Sequence, residues 1–304
     1  MKPGFVSAIL ADLSYEDVLK TAKNEGFGAV EMLCWPLGKA ERRYAGVTHI
    51  DVVDLTSTKA DELKAKADDA GIEISALGYY PNPLIADLEQ RAFFTNHIKK
   101  VIDGASMLGI GTVNTFIGRE PLQSLEQSWV EFGKVWPELI KYAEGRGIKI
   151  AIENCPMFFS MDEWPGGKNM ASTPAIWKRM FEEIDSSNFG LNYDPSHMIW
   201  QQMDAVAPLR DFKDKLFHIH IKDAKVLTHK LNEVGIMAAP LEYHMPKLPG
   251  LGDVNWSEFF CYLTEAEYDG PVCIEVEDRA YEGSLENRIS ALRQSKKYIS
   301  QFIG

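Results

Sequence analysis

Apolar and polar positions along the chain alternate between two periods. Short runs with period 2, or wholly apolar, read as strands at 5–10, 29–35, 72–80, 112–118, 149–154, 189–194, 216–223 and 271–278. Between them lie runs with helical period at 14–26, within 51–71, and at 87–109, 125–146, 173–184, 201–214, 255–270 and 284–302. Several carry their own end signals. Ser14 precedes Asp17 by three residues, Pro174 opens its helix, and Gly71, Gly145 and Gly147 follow helix ends. A polar loop follows 29–35, and a long insertion of about 224–253 separates the seventh strand from the seventh full helix. Strict strand–helix alternation of this kind closes most simply into an α/β (β/α)8 TIM barrel. A doubly wound sheet would be expected to carry a glycine-rich phosphate turn, and neither GxGxxG nor GxxxxGK[ST] occurs. With no linker in sight, residues 1–304 are read as one domain.

The strand faces decide what the barrel carries. In "KIAIEN" (149–154), Ile150 and Ile152 oppose Ala151 and Glu153. In "FGLNYD" (189–194), Leu191 and Tyr193 oppose Asn192 and Asp194. In "FHIHIKD" (217–223), Ile219 and Ile221 oppose His218 and His220. In "PVCIEVED" (271–278), Val272, Ile274 and Val276 oppose Cys273, Glu275 and Glu277. If the apolar face packs on the helices, Glu153, Asp194, His220 and Glu275 all point to the barrel axis. All four lie near the C-terminal ends of successive strands, where barrel sites are built. Three carboxylates converging with an imidazole repel one another and shift in pKa unless a cation joins them. Three oxygen donors and one nitrogen suit Mn²⁺ or Mg²⁺, with Co²⁺, Fe²⁺ and Zn²⁺ as alternatives. Asn154, His197, His218 and Lys222 are the expected supports around such a centre.

Composition narrows the partners. A formal charge of −12 argues against a nucleic-acid surface, which needs clustered basic residues. No run approaches the roughly 18 apolar residues of a membrane span, and the N-terminus lacks a secretory pattern, so a cytoplasmic location is expected. Cys34, Cys155, Cys261 and Cys273 show no CxxC spacing and are expected as buried thiols. A homo-oligomer is left open.

At "IEN" (152–154), "DPSH" (194–197), "HIHIKD" (218–223) and "IEVED" (274–278), with "LPGLGDVNW" (248–256), the chain resembles the xylose isomerase-like superfamily, often called sugar phosphate isomerase/epimerase. The resemblance implies metal ligation by Glu153, Asp194, His220 and Glu275, the set that strand parity selects independently. It implies substrate contact for His197. Two features of ketose 3-epimerases are missing: a further Glu beyond the fifth strand, where this chain reads "CPMFFSMDEW", and an Arg after the seventh-strand motif, where it reads "AKVLTH". The extra His ligands of the superfamily's zinc endonucleases are replaced by Tyr79, Tyr80 and Asn114, which with the charge argues against DNA repair.

The expected chemistry is proton abstraction beside the carbonyl of a small sugar, keto-sugar or polyol, with an enediolate intermediate. Glu153 and Glu275 are the expected acid and base, and His197 and Lys222 the groups that hold substrate oxygens. Trp35, Tyr79, Tyr80, Trp164 and Trp200 are candidate walls against a sugar face. Asp223 is read as fixing Lys222. Reprotonation of the intermediate gives an isomerase or epimerase. Loss of a β-substituent gives a lyase acting on a keto-inositol or 3-keto-glycoside, for which His229 or His244 in the insertion is a candidate proton donor. A barrel that binds sugar without turnover is the third reading.

Overall fold

The computed structural model describes residues 1–38 and 44–303. The polar loop expected after the second strand includes 39–43, outside the described residues. Among the described residues there are ten strands: β1 (Lys2–Val6), β2 (Ala29–Leu33), β3 (Glu73–Gly78), β4 (Thr112–Thr115), β5 (Lys149–Glu153), β6 (Phe189–Tyr193), β7 (Leu216–Ile221), β8 (Asp223–Val226), β9 (His244–Lys247) and β10 (Pro271–Ile274). Eight of them close a parallel barrel in the order β1-β10-β7-β6-β5-β4-β3-β2, and β8 and β9 pair separately as an antiparallel hairpin. The architecture is a (β/α)8 TIM barrel.

The period-2 reading holds at the level of packing. Ile150, Ile152, Leu191, Tyr193, Ile219, Ile221, Val272 and Ile274 are fully buried in the main apolar core. The opposite set fills the barrel lumen, where the Ser75 hydroxyl lies 3.1 Å from His218 Nε2 and 3.4 Å from Cys273 Sγ. Glycines admit these groups: a Cβ at Gly4 would meet Cys273 Sγ at 2.8 Å, and one at Gly78 would meet Glu31 Oε1 at 2.4 Å.

Most helices lie where the periodicity puts them, and their caps are side-chain hydrogen bonds. Ser14 Oγ accepts from Asp17 N, and Asn255 caps the helix Trp256–Glu265 by accepting from Glu258 N. Two expectations are corrected. Residues 5–10 are not one strand: β1 ends at Val6, and Ser7–Leu10 form a 3₁₀ turn. The Ser7 hydroxyl accepts the Leu33 N–H at 3.0 Å, taking the place of a ladder bond. The helix expected over 201–214 is instead two five-residue helices, Ser196–Trp200 and Ala207–Asp211. Gln202 turns the chain with φ of 58°, and Asp204 Oδ1 accepts from Val206 N and Ala207 N to start the second.

All four cysteines are free; Cys34, Cys155 and Cys273 are buried and Cys261 is exposed. Among the described residues no helix is long and apolar enough to cross a membrane. The insertion docks through Ala224 and Tyr243, which pack on Trp200 with Leu231 and Val234 beside them. The hairpin therefore stands over the C-terminal rim of the barrel.

Candidate metal centre

Glu153 ends β5, Asp194 follows β6, His220 is the penultimate residue of β7, and Glu275 follows β10. The structure brings one ligand atom from each within 4.8 Å of all the others. Glu153, Asp194 and His220 are buried, and Glu275 is partly open. His220 Nδ1 lies 3.5 Å from Glu275 Oε2 and 3.9 Å from Glu153 Oε1, without a hydrogen bond of its own. A buried, unpartnered ring nitrogen aimed at two carboxylates is the arrangement a metal ion would complete.

The other face of the His220 ring explains its orientation. Nε2 lies 2.7 Å from Glu31 Oε2. Glu31 is itself fully buried and accepts from Asn114 Nδ2 at 2.9 Å and from the Tyr80 hydroxyl. With the proton on Nε2, Nδ1 keeps its lone pair for a cation. Burial disfavours the His220 imidazolium, but the Glu31 and Glu275 carboxylates outweigh it and hold its pKa above the ordinary range. Burial likewise opposes the charge on Glu31, yet His220, His218 and Tyr80 hold its pKa down to about 2. Sequence reasoning missed Glu31. The signal was present, because in "AVEML" Glu31 has the parity of Ala29 and Leu33, opposite Val30 and Met32.

Lys222 is surrounded by acids, with Nζ 2.9 Å from Asp194 Oδ2, 2.6 Å from Glu275 Oε2 and 3.1 Å from Glu277 Oε2. Burial would neutralise the ammonium, but Asp194, Glu275 and Glu277 hold its pKa above the usual lysine range. Asp194 is held well below the carboxylate range, because Lys222 and His197 outweigh its burial. His197 Nε2 sits 3.4 Å from Glu153 Oε1 and 3.3 Å from Asp194 Oδ2, while Trp200 Nε1 donates to Nδ1 at 3.4 Å. His197 thus faces the same space from the side of the short helix Ser196–Trp200.

Other expected site residues are placed differently. His218 lies one layer deeper, fully buried, bonded to Asn192 Oδ1 at 3.0 Å and to Ser75. Burial pushes its pKa down to about 4, so it is neutral. Asn154 donates to Asp194 O at 2.9 Å and accepts from Asp194 N at 2.8 Å, tying the ends of β5 and β6. Trp35 packs edge-on to Tyr79 and flanks the apolar cluster at the mouth. Tyr79 is buried between Trp35 and His97, and the Tyr80 hydroxyl donates to Glu31. Trp164 packs against Phe158 and Trp200 stacks on His244.

Asp223 does not fix Lys222. Its carboxylate accepts from Ala224 N, Gly250 N, Val254 N and Trp256 Nε1, holding "LPGLGDVNW" in place. Gly252 is required there, since a Cβ would stand 2.1 Å from Asp223 Oδ1. The proton-donor candidates in the insertion fare no better. His229 is exposed on the helix Thr228–Val234. His244 bonds Pro240 O at 2.6 Å, and burial pushes its pKa down to about 4.

Two further donor groups exist among the described residues: Glu31, His218 and His220, and Glu153, Cys155 and His197. The first is already satisfied by its own hydrogen bonds. The second shares Glu153 with the four-residue group, and its Cys155 and His197 line the small cavity beside it.

The family described as xylose isomerase-like TIM barrel matches residues 19–301. The chain belongs to this family. A Bacillus subtilis relative, the uncharacterized protein YfiH, is 24% identical over 97% of this chain and 99% of its own length. The inosose dehydratase of Clostridium tetani is 27% identical over 63% of this chain and 60% of its own. Among solved structures, D-psicose 3-epimerase from Clostridium cellulolyticum H10 superimposes with a TM-score of 0.71 at 16% identity, covering 100% of this chain and 99% of the other. The IolI protein, solved with a binding zinc atom, gives 0.72 at 18% identity, covering 100% of both chains.

Proposed function

We propose that this xylose isomerase-like barrel is a divalent-metal-dependent isomerase or epimerase that moves a proton beside the carbonyl of a small sugar, keto-sugar or polyol. The observation that carries the reading is the convergence of Glu153 and Glu275 on one space with Asp194 and the open Nδ1 of His220. These four residues would hold the ion; three oxygens and one nitrogen suit Mn²⁺ or Mg²⁺, with Co²⁺, Fe²⁺ and Zn²⁺ as alternatives. When bound, the ion supplies Lewis acidity that makes the C–H beside a carbonyl easier to ionise.

The chain's own residues supply the rest. Glu153 is rigidly buried and serves as base. Glu275 is the more open of the pair, steadied by Lys222 Nζ at 2.6 Å, and returns the proton. His197 presents Nε2 beside Glu153 and Asp194, where it can hold a substrate oxygen. Lys222 balances the acids and keeps Glu275 aimed.

A second reading, β-elimination from the same enediolate, is favoured by the similarity to inosose dehydratase. Turnover in deuterium oxide separates the two. Solvent deuterium in recovered sugar without net elimination supports the isomerase or epimerase. Release of water or an aglycone with a new enone supports the lyase. A metal-loaded protein that exchanges no proton across a broad keto-sugar panel would leave only sugar binding. Glu153→Gln is expected to abolish exchange while retaining binding, and full activity of this variant would refute the role of Glu153. Anomalous scattering at the four residues identifies the ion.

A further inference from the structure

The His197 ring is gripped from two directions. Nε2 points between Glu153 Oε1 at 3.4 Å and Asp194 Oδ2 at 3.3 Å, without a hydrogen bond of its own. Nδ1 accepts from Trp200 Nε1 at 3.4 Å. The two residues stand three apart on the short helix Ser196–Trp200 and so share a face. Their ring planes meet at 88°, which aims the edge of one at the other.

An indole nitrogen donates and does not accept. Nδ1 must therefore present a lone pair, and in the neutral ring the proton sits on Nε2. That tautomer makes His197 a donor toward the small cavity it lines with Cys155 and Lys222. It also argues against Glu153, Cys155 and His197 as a second metal centre. An ion would need the lone pair of Nε2, and the proton would then move to Nδ1, against the indole N–H. Burial and Lys222 oppose a second proton on this ring, while Cys155 and Asp194 draw it. The indole N–H already occupies the atom that would take that proton.

Trp200 is in turn held by the 224–253 insertion. Its indole stacks on His244, with centroids 5.3 Å apart and planes at 20°. It packs with Ala224 and Tyr243, and the Tyr243 hydroxyl donates to Trp200 O at 3.5 Å. His244 is anchored by Pro240 O at 2.6 Å, so the stack rests on a fixed ring.

We infer that Trp200 is a positioning residue: it holds His197 with its proton on Nε2, aimed at a substrate oxygen, and the insertion keeps the indole in place to do so. The oxygen at His197 is therefore bound as an acceptor. It is a carbonyl oxygen, or the oxygen on which charge gathers as the neighbouring proton leaves. The substrate oxygen rests on the function proposed above; the tautomer stands without it.

The test is the nitrogen NMR spectrum of His197 in protein labelled with nitrogen-15 histidine, in slightly alkaline buffer with Mg²⁺. Its signals are assigned by their loss in His197→Gln. In the wild type Nε2 is expected to carry the proton and Nδ1 none. A proton on Nδ1, in the other tautomer or in the imidazolium, overturns the inference. Trp200→Phe keeps an aromatic ring against His244 and removes the N–H. It is expected to leave His197 exchanging between tautomers. It should also lower kcat for deuterium exchange into keto-sugars about three- to tenfold, the worth of one neutral hydrogen bond, with KM changed less than about threefold. A variant that loses thermal stability but keeps the wild-type tautomer and kcat shows Trp200 to be packing alone, which refutes the positioning role. His244→Ala is expected to move both readouts in the same direction by less, and no change in either refutes the part given to the insertion. Wild-type protein with the expected tautomer that exchanges no keto-sugar proton upholds the assigned tautomer and refutes the catalytic reading.

Discussion

Replacing Glu31 by Gln tests whether the centre depends on a residue that touches neither substrate nor ion. Glu31 Oε2 accepts from His220 Nε2 at 2.7 Å and Asn114 Nδ2 at 2.9 Å, and Oε1 accepts from Tyr80. In Glu31→Gln the amide oxygen can keep the first two bonds. The amide NH₂ then faces Tyr80, whose oxygen can accept as it already does from Asn192 Nδ2 at 3.3 Å. The shape and the His220 tautomer survive, and only the charge is lost. Glu31→Ala would instead strand three buried donors, each costing about 1–3 kcal/mol, a sum comparable with the whole stability of many domains. The Gln variant is therefore the clean one.

Residues that orient a metal-bound histidine typically change metal affinity by about 10–100-fold when altered, or about 1.4–2.8 kcal/mol. Because geometry is retained here, the expected loss lies near the tenfold end. The assay is competition of EDTA-stripped protein against a chromophoric chelator for Mn²⁺ and Zn²⁺, with urea unfolding as the control. Wild-type affinity within twofold, at unchanged stability, would show that Glu31 does not set the donor strength of His220 and would undercut Nδ1 as a ligand.

Gly78→Ala places a Cβ 2.4 Å from Glu31 Oε1 and 3.1 Å from Leu33 and Tyr80, so a loss of about 1–3 kcal/mol is expected in urea unfolding. Adding Mn²⁺ or Zn²⁺ at a hundredfold excess over Kd is expected to stabilise the protein by about 2.7 kcal/mol, several degrees in Tm, and EDTA or His220→Ala should abolish the shift. Glu163 accepts from Ser160 N at 2.7 Å and Phe159 N at 3.2 Å and faces Lys168 at 3.5 Å; these outweigh its burial and lower its pKa. Its stabilisation of the 159–163 turn is therefore full above the ordinary glutamate value of about 4.3 and lost as the pH falls through the lower folded value. Hydrogen exchange in that turn should rise with acid in the wild type. In Glu163→Gln it should be raised already at neutral pH and change less.

The same residue shows how far a sequence can be read. Strand parity brought Glu153, Asp194, His220 and Glu275 to one end of the barrel because parallel staves alternate strictly and end together. That argument needs only local pattern. It fails where a residue's role is not set by strand alternation. Glu163 lies in the stretch that replaces the further epimerase Glu, and its carboxylate turns back to cap its own 3₁₀ turn. Asp223 follows Lys222 in sequence but is bonded to Gly250, Val254 and Trp256. Glu31 has the inward parity in "AVEML", but its partner His220 lies on β7, and that pairing is visible only in the closed barrel. The hairpin was equally opaque, since "HMPK" puts Pro246 in a strand with no apolar alternation.

Charge explains why these residues need one another. Glu153, Asp194, Glu275 and Glu277 gather about one ammonium, that of Lys222. Two like charges 4 Å apart repel by about 4 kcal/mol at an effective dielectric of 20, so one lysine cannot balance four acids. The remaining deficit draws in either protons or a cation. The raised pKa values of the His197 and His220 rings run in the direction that draws protons in. A divalent ion would offset more with less displacement, because Glu153, Asp194, Glu275 and Nδ1 of His220 lie close enough together to hold it. On the proposed reading the acids would favour an ion, Lys222 would limit how strongly they do so, and Glu31, through Nε2 of His220, would decide which nitrogen is offered.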